Sequence, residues 1–536
     1  MAVIQPKTPG VYINEPSSFP PSIVGVETAV PAFVGYTEMA IQGSKVVANT
    51  PIRVSSMAEY EKVFGGSFSE TYALSKSPPT KTENDLGQIQ IGNTQYHLVE
   101  EGTARFYLYD CMRHFYANGG GDCYVVSCSY YLGSDGKTPN PLDPSLIIAG
   151  LQAVEKVIGP TMLLVPDATL LPAQGYKDVV EEMLDQCGRV GDRVALFDIK
   201  GSDDPGFDFN ADPNAISTFR ETVAGKQDAL KFGIAYFPFI YTSVVQPTDI
   251  GIGNFDPGGL DTLKSALGEA VAALYPPTAG TDNPRAADIK SKWIDKIGTS
   301  KPDAPAAGPP LPPGTLSDTQ LRNGLIANIP VMSDLLNMIA AGRNTLPPSA
   351  AMAGIYTQMD AQNGVWNAPA NVGINQLVSP VINVDSTAQE DMNAPTGGIS
   401  INAIRTFPGR GTLVWGARTL DGNSNDWRYI QVRRTMIYVE QSIKIALNSF
   451  VFAPNDAGTW VTVVSMIESF LHGLWASGGL MGATAGQAFN VQAGLGSTMT
   501  ADDVLNGVMR VQVVLTMIHP VEFIELTFQQ QMLQGA

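Results

Sequence analysis

The sequence predicts a multidomain chain of mixed α/β and α+β class, with extended strand arms at both termini. Three observations carry this expectation. The chain has 536 residues, more than one hydrophobic core normally serves, and 44% of them are hydrophobic. Helical and strand periodicities alternate from about Phe106 to Lys200, the rhythm of an α/β layer. Both ends carry short extended pieces with nothing local to bury them.

In chain order, prolines at 6, 9, 16, 20, 21 and 31 forbid a long helix near the start. Between them Val11 and Ile13 alternate with Tyr12 and Asn14, an extended piece that must pair with a sheet of its own or another chain. "TAVPAFVGYTE" is expected to be the first core strand, and 50–64 a short strand followed by a helix capped by Ser55 or Ser56 and stopped at Gly65–Gly66. Residues 67–100 are polar and irregular, and are expected to form a loop or a small hairpin. A helix then runs to about Asn118, followed by the strand "DCYVVSCSY", a helix over 144–156, the strand "TMLLVPDA", and a further helix, Gly turn and strand ending at Asp198. One or two strands fall within 229–246 and a helix at Leu260–Leu274. The proline- and glycine-rich "KPDAPAAGPPLPPG" (301–314) has the composition of a linker. Helix returns over 317–342, with a Ser317/Gln320 capping box and a break at Pro330. The last third holds a glycine turn and strand (406–420), a helix of about two dozen residues from Asp426, a second helix closed by Gly478–Gly479, a Thr500 cap with Asp503 three residues on, and extended pieces around Val511–Val513 and Val521–Leu526.

Charge and chemistry narrow the function. The formal net charge is −18 with only 16% charged residues, a poor balance for a general nucleic-acid binder. Four cysteines, none in a Cys-x-x-Cys, do not make a disulfide scaffold, and the histidines at 97, 114, 472 and 519 form no zinc motif. The first ten residues show no basic segment followed by a long apolar run, and no membrane span is expected. "NGGGD" (118–122) runs helix, glycines, strand, the reverse of a phosphate loop, and has no Gly-Lys-Ser/Thr. "FPGRG" (407–411) with Arg410 has the same strand-like sequel and is expected to be a structural turn. Asp167 and Asp198 each follow a core strand. They form either a metal or acid–base pair, as in an α/β enzyme, or helix caps and loop residues. The helix from Asp426 carries Arg428, Arg433, Arg434 and Lys444, which suit a solvated face with salt bridges, a nucleic-acid grip or a protein contact.

Several long stretches resemble the contractile tail sheath family: "PGVYINE" (9–15), "FYANGGGDCYVV" (115–126), "LPPSAAMAGIYTQMDAQNGVWNAPAN" (346–371), "GRGTLVWGARTL" (409–420), "WRYIQVRRTMIYVEQSI" (427–443) and "HPVEFIELTF" (519–528). The resemblance implies a contractile-sheath fold: an inner mixed sheet with helices, outer α/β domains, and extended N- and C-terminal arms. It implies an N-terminal donated-strand arm over 1–25 and a small domain or excursion over 26–100. An α/β body over 101–345 follows, with a proline-rich excursion at 275–315, then an inner sheath domain over 346–515 and a C-terminal arm over 516–536. Val11, Tyr12, Ile13 and Asn14, and Val521, Glu522, Phe523, Ile524, Glu525 and Leu526, are then strands given to neighbouring subunits. Arg428, Arg433, Arg434 and Lys444 then face an inner tube. Pro347–Pro348–Ser349 and Gly364–Val365–Trp366 are expected to be structural, with Trp366 in the core. The implied role is non-enzymatic and needs no cofactor. The implied partners are copies of the chain in six-fold rings, an inner tube, and baseplate and terminator proteins, with no nucleic acid and no membrane insertion. The implied location, after synthesis in the cytoplasm, is a virion tail or tail-like injection particle. An α/β enzyme using Asp167 and Asp198, or another tail or baseplate protein, is the alternative.

Overall fold

A computed structural model describes residues 22–526, apart from 79–83, 103, 278–282, 302–311 and 313–314. The expected N-terminal strand Val11–Asn14 and most of the 301–314 segment lie outside the described residues. The described chain divides into two compact units. One is Glu27–Arg434; the other joins residues 22–26 to the chain from Thr435 onward. These limits differ from the boundaries expected at 100, 345 and 515. The larger unit contains strands from residue 31 to residue 415 in one sheet, so no cut near 100 or 345 separates cores.

That sheet has eight strands: β1 (Pro31–Thr37), β2 (Ile52–Val54), β3 (Cys123–Tyr130), β4 (Met162–Leu164), β5 (Val194–Asp198), β6 (Gly233–Phe237), β7 (Asn402–Phe407) and β8 (Gly411–Trp415). Their spatial order is β8-β7-β6-β5-β4-β1-β3-β2. The run from β3 to β7 is parallel, and β2 and β8 are antiparallel edges. A parallel sheet covered on both faces needs apolar runs, not alternation. "PAFVGYT", "MLL", "VALFD" and "GIAYF" meet that need, and every residue in them is buried.

Local signals set the helix limits. Ser56 caps Met57–Phe64, which ends at Gly65 with φ 82. Gly191, in the left-handed region, closes Ala173–Val190. Pro330 starts a helix instead of merely breaking one: Asp318–Asn328, boxed by Ser317 and Gln320, turns through 118° into Pro330–Arg343. This bent pair belongs to a buried cluster, and no single helix among the described residues is long and apolar enough to cross a membrane.

Residues 67–100 are not an irregular loop. Thr71–Ser75, Asn84–Ile91 and Thr94–Glu101 form a three-stranded antiparallel sheet. Its inner face, with Tyr72, Leu74, Tyr96 and Leu98, packs on the helices Leu260–Leu274, Asp318–Asn328 and Pro330–Arg343. The 275–315 excursion contributes a helix, Pro284–Lys292, whose Ile289 joins the same core. A polar composition concealed this sheet because only one of its faces is covered.

The stretch "SAAMAGIY" opens the helix Ser349–Asn363, and all eight of its residues are buried. Small side chains let this helix approach Leu108–Ala117 closely. A Cβ at Gly354 would stand 2.4 Å from the Phe115 carbonyl oxygen, and one at Gly120 would stand 2.6 Å from the Phe115 ring. "NGGGD" is therefore a helix end and close-packing turn. Gly354→Ala is expected to cost about 1–3 kcal/mol by overpacking against a backbone atom that cannot move aside, read as a lower urea midpoint. In Gly364–Val365–Trp366 the core residue is Val365, whereas Trp366 is half-buried with its indole lying over Gly364. Gly364 has φ 85, so both its conformation and the indole exclude a side chain there.

Candidate functional site

The helix of the arginine stretch runs over Ile430–Leu447, shorter than the two dozen residues expected. Its basic residues do not form an exposed row. Arg433 and Arg434 are each 4% exposed. The Arg434 guanidinium meets Asp360 as a two-pronged pair, Nη1 to Oδ1 at 3.0 Å and Nη2 to Oδ2 at 2.6 Å. Nη2 also donates to the Thr28 carbonyl at 3.0 Å, and the guanidinium carbon lies 4.6 Å from the Tyr356 ring centroid. Tyr356 and Tyr236 share a hydrogen bond of 2.6 Å between their hydroxyls. A ladder thus runs from β6 through the helix Ser349–Asn363, where Tyr356 and Asp360 are one turn apart, to the first turn of Ile430–Leu447. Arg433 stacks between Phe232 and Trp427, at 4.9 and 4.6 Å. Arg428 is part-exposed and donates to the Ser424 carbonyl, while Lys444 is exposed. Of the four basic residues that the resemblance assigned to an inner-tube contact, Arg433 and Arg434 are thus engaged inside their own chain, where a paired or stacked guanidinium is less open to another partner.

Asp167 and Asp198 are helix-capping residues. β3 lies on one side of β1 and β4 on the other, so the strand order reverses between β1 and β4. Open α/β sheets bind ligands at the carboxyl ends of strands at such a point. Here the position is filled. Asp167, wholly buried, accepts the N–H of Tyr107 at 2.6 Å and of Tyr36 at 3.4 Å, at the start of the helix Leu108–Ala117. Asp198 accepts the N–H of Ser349 at 2.8 Å and its hydroxyl at 2.5 Å, at the start of Ser349–Asn363. Each carboxyl serves its own helix, and among the described residues no group of three or more His, Cys, Asp or Glu could hold a metal. The enzyme alternative loses its acid–base pair on this geometry.

Burial raises Asp198 from the usual 3.8 to about 7, and Asp167 to about 6, with the capping hydrogen bonds acting the other way. A carboxyl whose folded pKa lies above its unfolded value stabilises most below the unfolded pKa. That contribution is lost as pH rises through the folded pKa. The contribution of these two carboxyls to stability is therefore expected to fall between about pH 4 and pH 7 and to level above that. In Asp198→Asn, part of this slope should vanish in urea titrations repeated across that range.

The smaller unit is built around the C-terminal half of the long helix. The N–H of Val26 donates to the Ser442 hydroxyl at 3.1 Å, and Gly25 lies against the Tyr438 ring so closely that a Cβ there would be 2.2 Å from its hydroxyl oxygen. The helix Ala457–Ala476, capped by Asp456, packs beside a ribbon that has two strands among the described residues, Phe489–Gln492 and Gln512–Leu515. A groove of about 330 Å³, lined by Val461, Val464 and Val491, lies between that helix and the Phe489–Gln492 strand. After Thr516 no further strand is described, and Val521, Phe523, Ile524 and Leu526 stand 74–79% exposed. Thr500 and Asp503 form the expected capping box on a short helix, Ala501–Leu505.

Comparison with known proteins shows what this arrangement is similar to. Residues 423–531 match the family model of the phage tail sheath C-terminal domain. The tail sheath protein of Burkholderia phage BcepMu is 27% identical over 144 residues, which span 26% of this chain and 30% of the phage protein. The sheath of the anti-feeding prophage in its contracted state superposes with a TM-score of 0.57 at 24% identity, covering 98% of this chain and 100% of that one. The contracted sheath of the PVC extracellular contractile injection system gives 0.55 at 24% identity, with 99% of each chain covered. Residues 423–531 are thus similar to the phage tail sheath C-terminal domain, and the whole chain shares the fold of these contractile sheath structures.

Sequence reasoning missed Arg193, which is 1% exposed and donates to the carbonyls of Val154 and Val157 at the end of Pro144–Glu155. It also missed Arg343, buried between Asp110 (3.0 Å) and Glu70 (3.4 Å). Arg193 also pairs with its neighbour Asp192 at 2.6 Å, but the burial of both arginines is set by the tertiary fold. A single arginine in an apolar neighbourhood was the only available signal.

Proposed function

We propose that the chain is the structural subunit of a contractile sheath, polymerising as six-fold rings around an inner tube and contracting to drive that tube through a target envelope. The observation that carries this reading is the pairing of an incomplete two-stranded ribbon with an apolar terminal segment that its own chain leaves uncovered. A two-stranded ribbon is marginal alone. Strands added from neighbours complete it with main-chain hydrogen bonds while the linkers between arm and body stay free to turn. Val521–Leu526 and the N-terminal Val11–Asn14 are the donated pieces in this reading.

Contraction needs no nucleotide if the extended sheath is held metastable by its tube and baseplate and the contracted form buries more area between subunits. A small gain per subunit adds up over the many copies of a sheath. Within the Ile430–Leu447 helix, Lys444 and the neighbouring exposed Ile445 are the groups offered to a tube, while Arg433 and Arg434 hold the helix root. Baseplate and terminator proteins are the remaining partners, and the particle is a virion tail or a tail-like injection device. No nucleic-acid contact, membrane insertion or cofactor belongs to this reading.

Negative-stain electron microscopy tests the proposal. The full-length protein is expected to form striated hollow cylinders, and a chain lacking residues 1–18 is expected to form none. Small discrete particles from the full-length protein at high concentration would contradict the sheath reading.

A further inference from the structure

The β7–β8 hairpin carries a charged cluster that the folded chain does not neutralise. Gly409 and Gly411, both with positive φ, close the turn between Phe407 and Gly411. Arg405 lies 4.8 Å from the Phe407 ring centroid, and Arg410 lies 5.9 Å from Phe407 and 5.4 Å from Trp415. Both rings are half-buried and Arg410 is exposed. The hydrogen bonds of the two guanidiniums go to neutral groups: Arg405 to Gln389 at 2.6 Å and Ser386 at 3.4 Å, and Arg410 to Asn371 at 2.5 Å. Neither pairs with a carboxylate among the described residues, and the buried Nε of Arg405 has no hydrogen-bond partner. Among the other surface arginines, Arg53, Arg189, Arg220, Arg285 and Arg510 pair with acids of the same chain, whereas Arg322 and Arg428, which stand apart from one another, bond only neutral groups. Two neighbouring arginines on one hairpin without a carboxylate run against the supply of acids in a chain with 51 acidic and 33 basic residues.

We propose that the Arg405–Arg410 hairpin is a docking surface for a carboxylate-bearing segment of a second copy of this chain. Guanidiniums held beside aromatic rings are partly pre-organised forks for carboxylates and give up less freedom on binding. Arginine beside tryptophan is also the composition of strong interface contacts. The chain supplies such acids: Asp203, Asp204, Asp208 and Asp212 are exposed on one loop and form no ion pair among the described residues. A net charge of −18 opposes a polyanion such as nucleic acid, and two arginines on one turn are too few to overcome it. The inference rests on the sheath reading, since it needs copies of the chain to meet.

The test uses the full chain with Arg405→Glu/Arg410→Glu and, separately, Arg410→Glu, whose side chain is exposed and whose folding is checked by circular dichroism. The critical concentration for polymerisation is expected to rise about tenfold or more in Arg410→Glu, with a smaller rise for Arg410→Lys. A photo-cross-linking residue at Pro408, at the exposed tip, is expected to capture an acidic segment of another copy in the polymer. Arg410→Glu that folds and polymerises like the parent would overturn the inference and leave the sheath reading intact. Capture of nucleic acid, of a different protein, or of nothing within the polymer would also overturn it. A parent chain that never polymerises would overturn both.

Discussion

Asp360→Ala is expected to destabilise the larger unit by about 3–5 kcal/mol. The Arg434 guanidinium is 4% exposed, and among the described residues its two-pronged contact with Asp360 supplies its one carboxylate partner. Removing the carboxylate leaves a buried positive charge with one carbonyl and one ring for company. A buried pair adds little over a well-packed apolar replacement, whereas a broken one is costly because the remaining charge has lost its solvation. The double change Asp360→Leu/Arg434→Met should therefore recover much of the loss. Urea unfolding followed by far-ultraviolet circular dichroism measures both. Equal stability of Asp360→Ala and the parent would show that the ladder from Tyr236 to Arg434 does not anchor the long helix.

Deleting residues 519–536 is expected to abolish polymerisation while leaving the monomer folded. Of the described part of this segment, Val521, Phe523, Ile524 and Leu526 are exposed and no strand pairing holds them to their own chain. Their removal costs the isolated subunit little, because exposed apolar groups contribute little to its core. In the proposed assembly the same groups would close the groove beside Phe489–Gln492 and satisfy main-chain groups of an open ribbon edge. The expected result is an unchanged thermal midpoint with loss of all sedimenting polymer. A matched loss of thermal stability would instead make the segment part of the monomer's fold.

Much of the local structure was legible because its causes are local. The Ser317/Gln320 box, the Thr500/Asp503 box, the Gly65 and Gly191 stops and the Leu260–Leu274 helix all depend on residues within a few positions of one another. Sheet order was not legible. β7 joins β6 across more than 160 residues through the pairs Tyr236–Asn402 and Phe237–Ala403, and nothing in either strand names the other. The Thr71–Glu101 sheet stayed hidden because its covering helices lie beyond residue 259. The arginines of the long helix were visible as charges, but their burial depends on Asp360, Tyr356, Phe232 and Trp427, none of which helical periodicity brings to Arg433 or Arg434. The two aspartates illustrate the same limit. Their position after core strands was readable, yet whether each meets a substrate or a helix N-terminus is decided by Tyr107 and Ser349, far along the chain.

Electron cryomicroscopy of the polymer formed by the full-length protein tests the central claim most directly. The account predicts a hollow six-fold helical cylinder in which Val521–Leu526 of one subunit lies as a strand against the Phe489–Gln492 and Gln512–Leu515 ribbon of another. A cylinder in which that ribbon keeps two strands and residues 521–526 pack on their own subunit would contradict it.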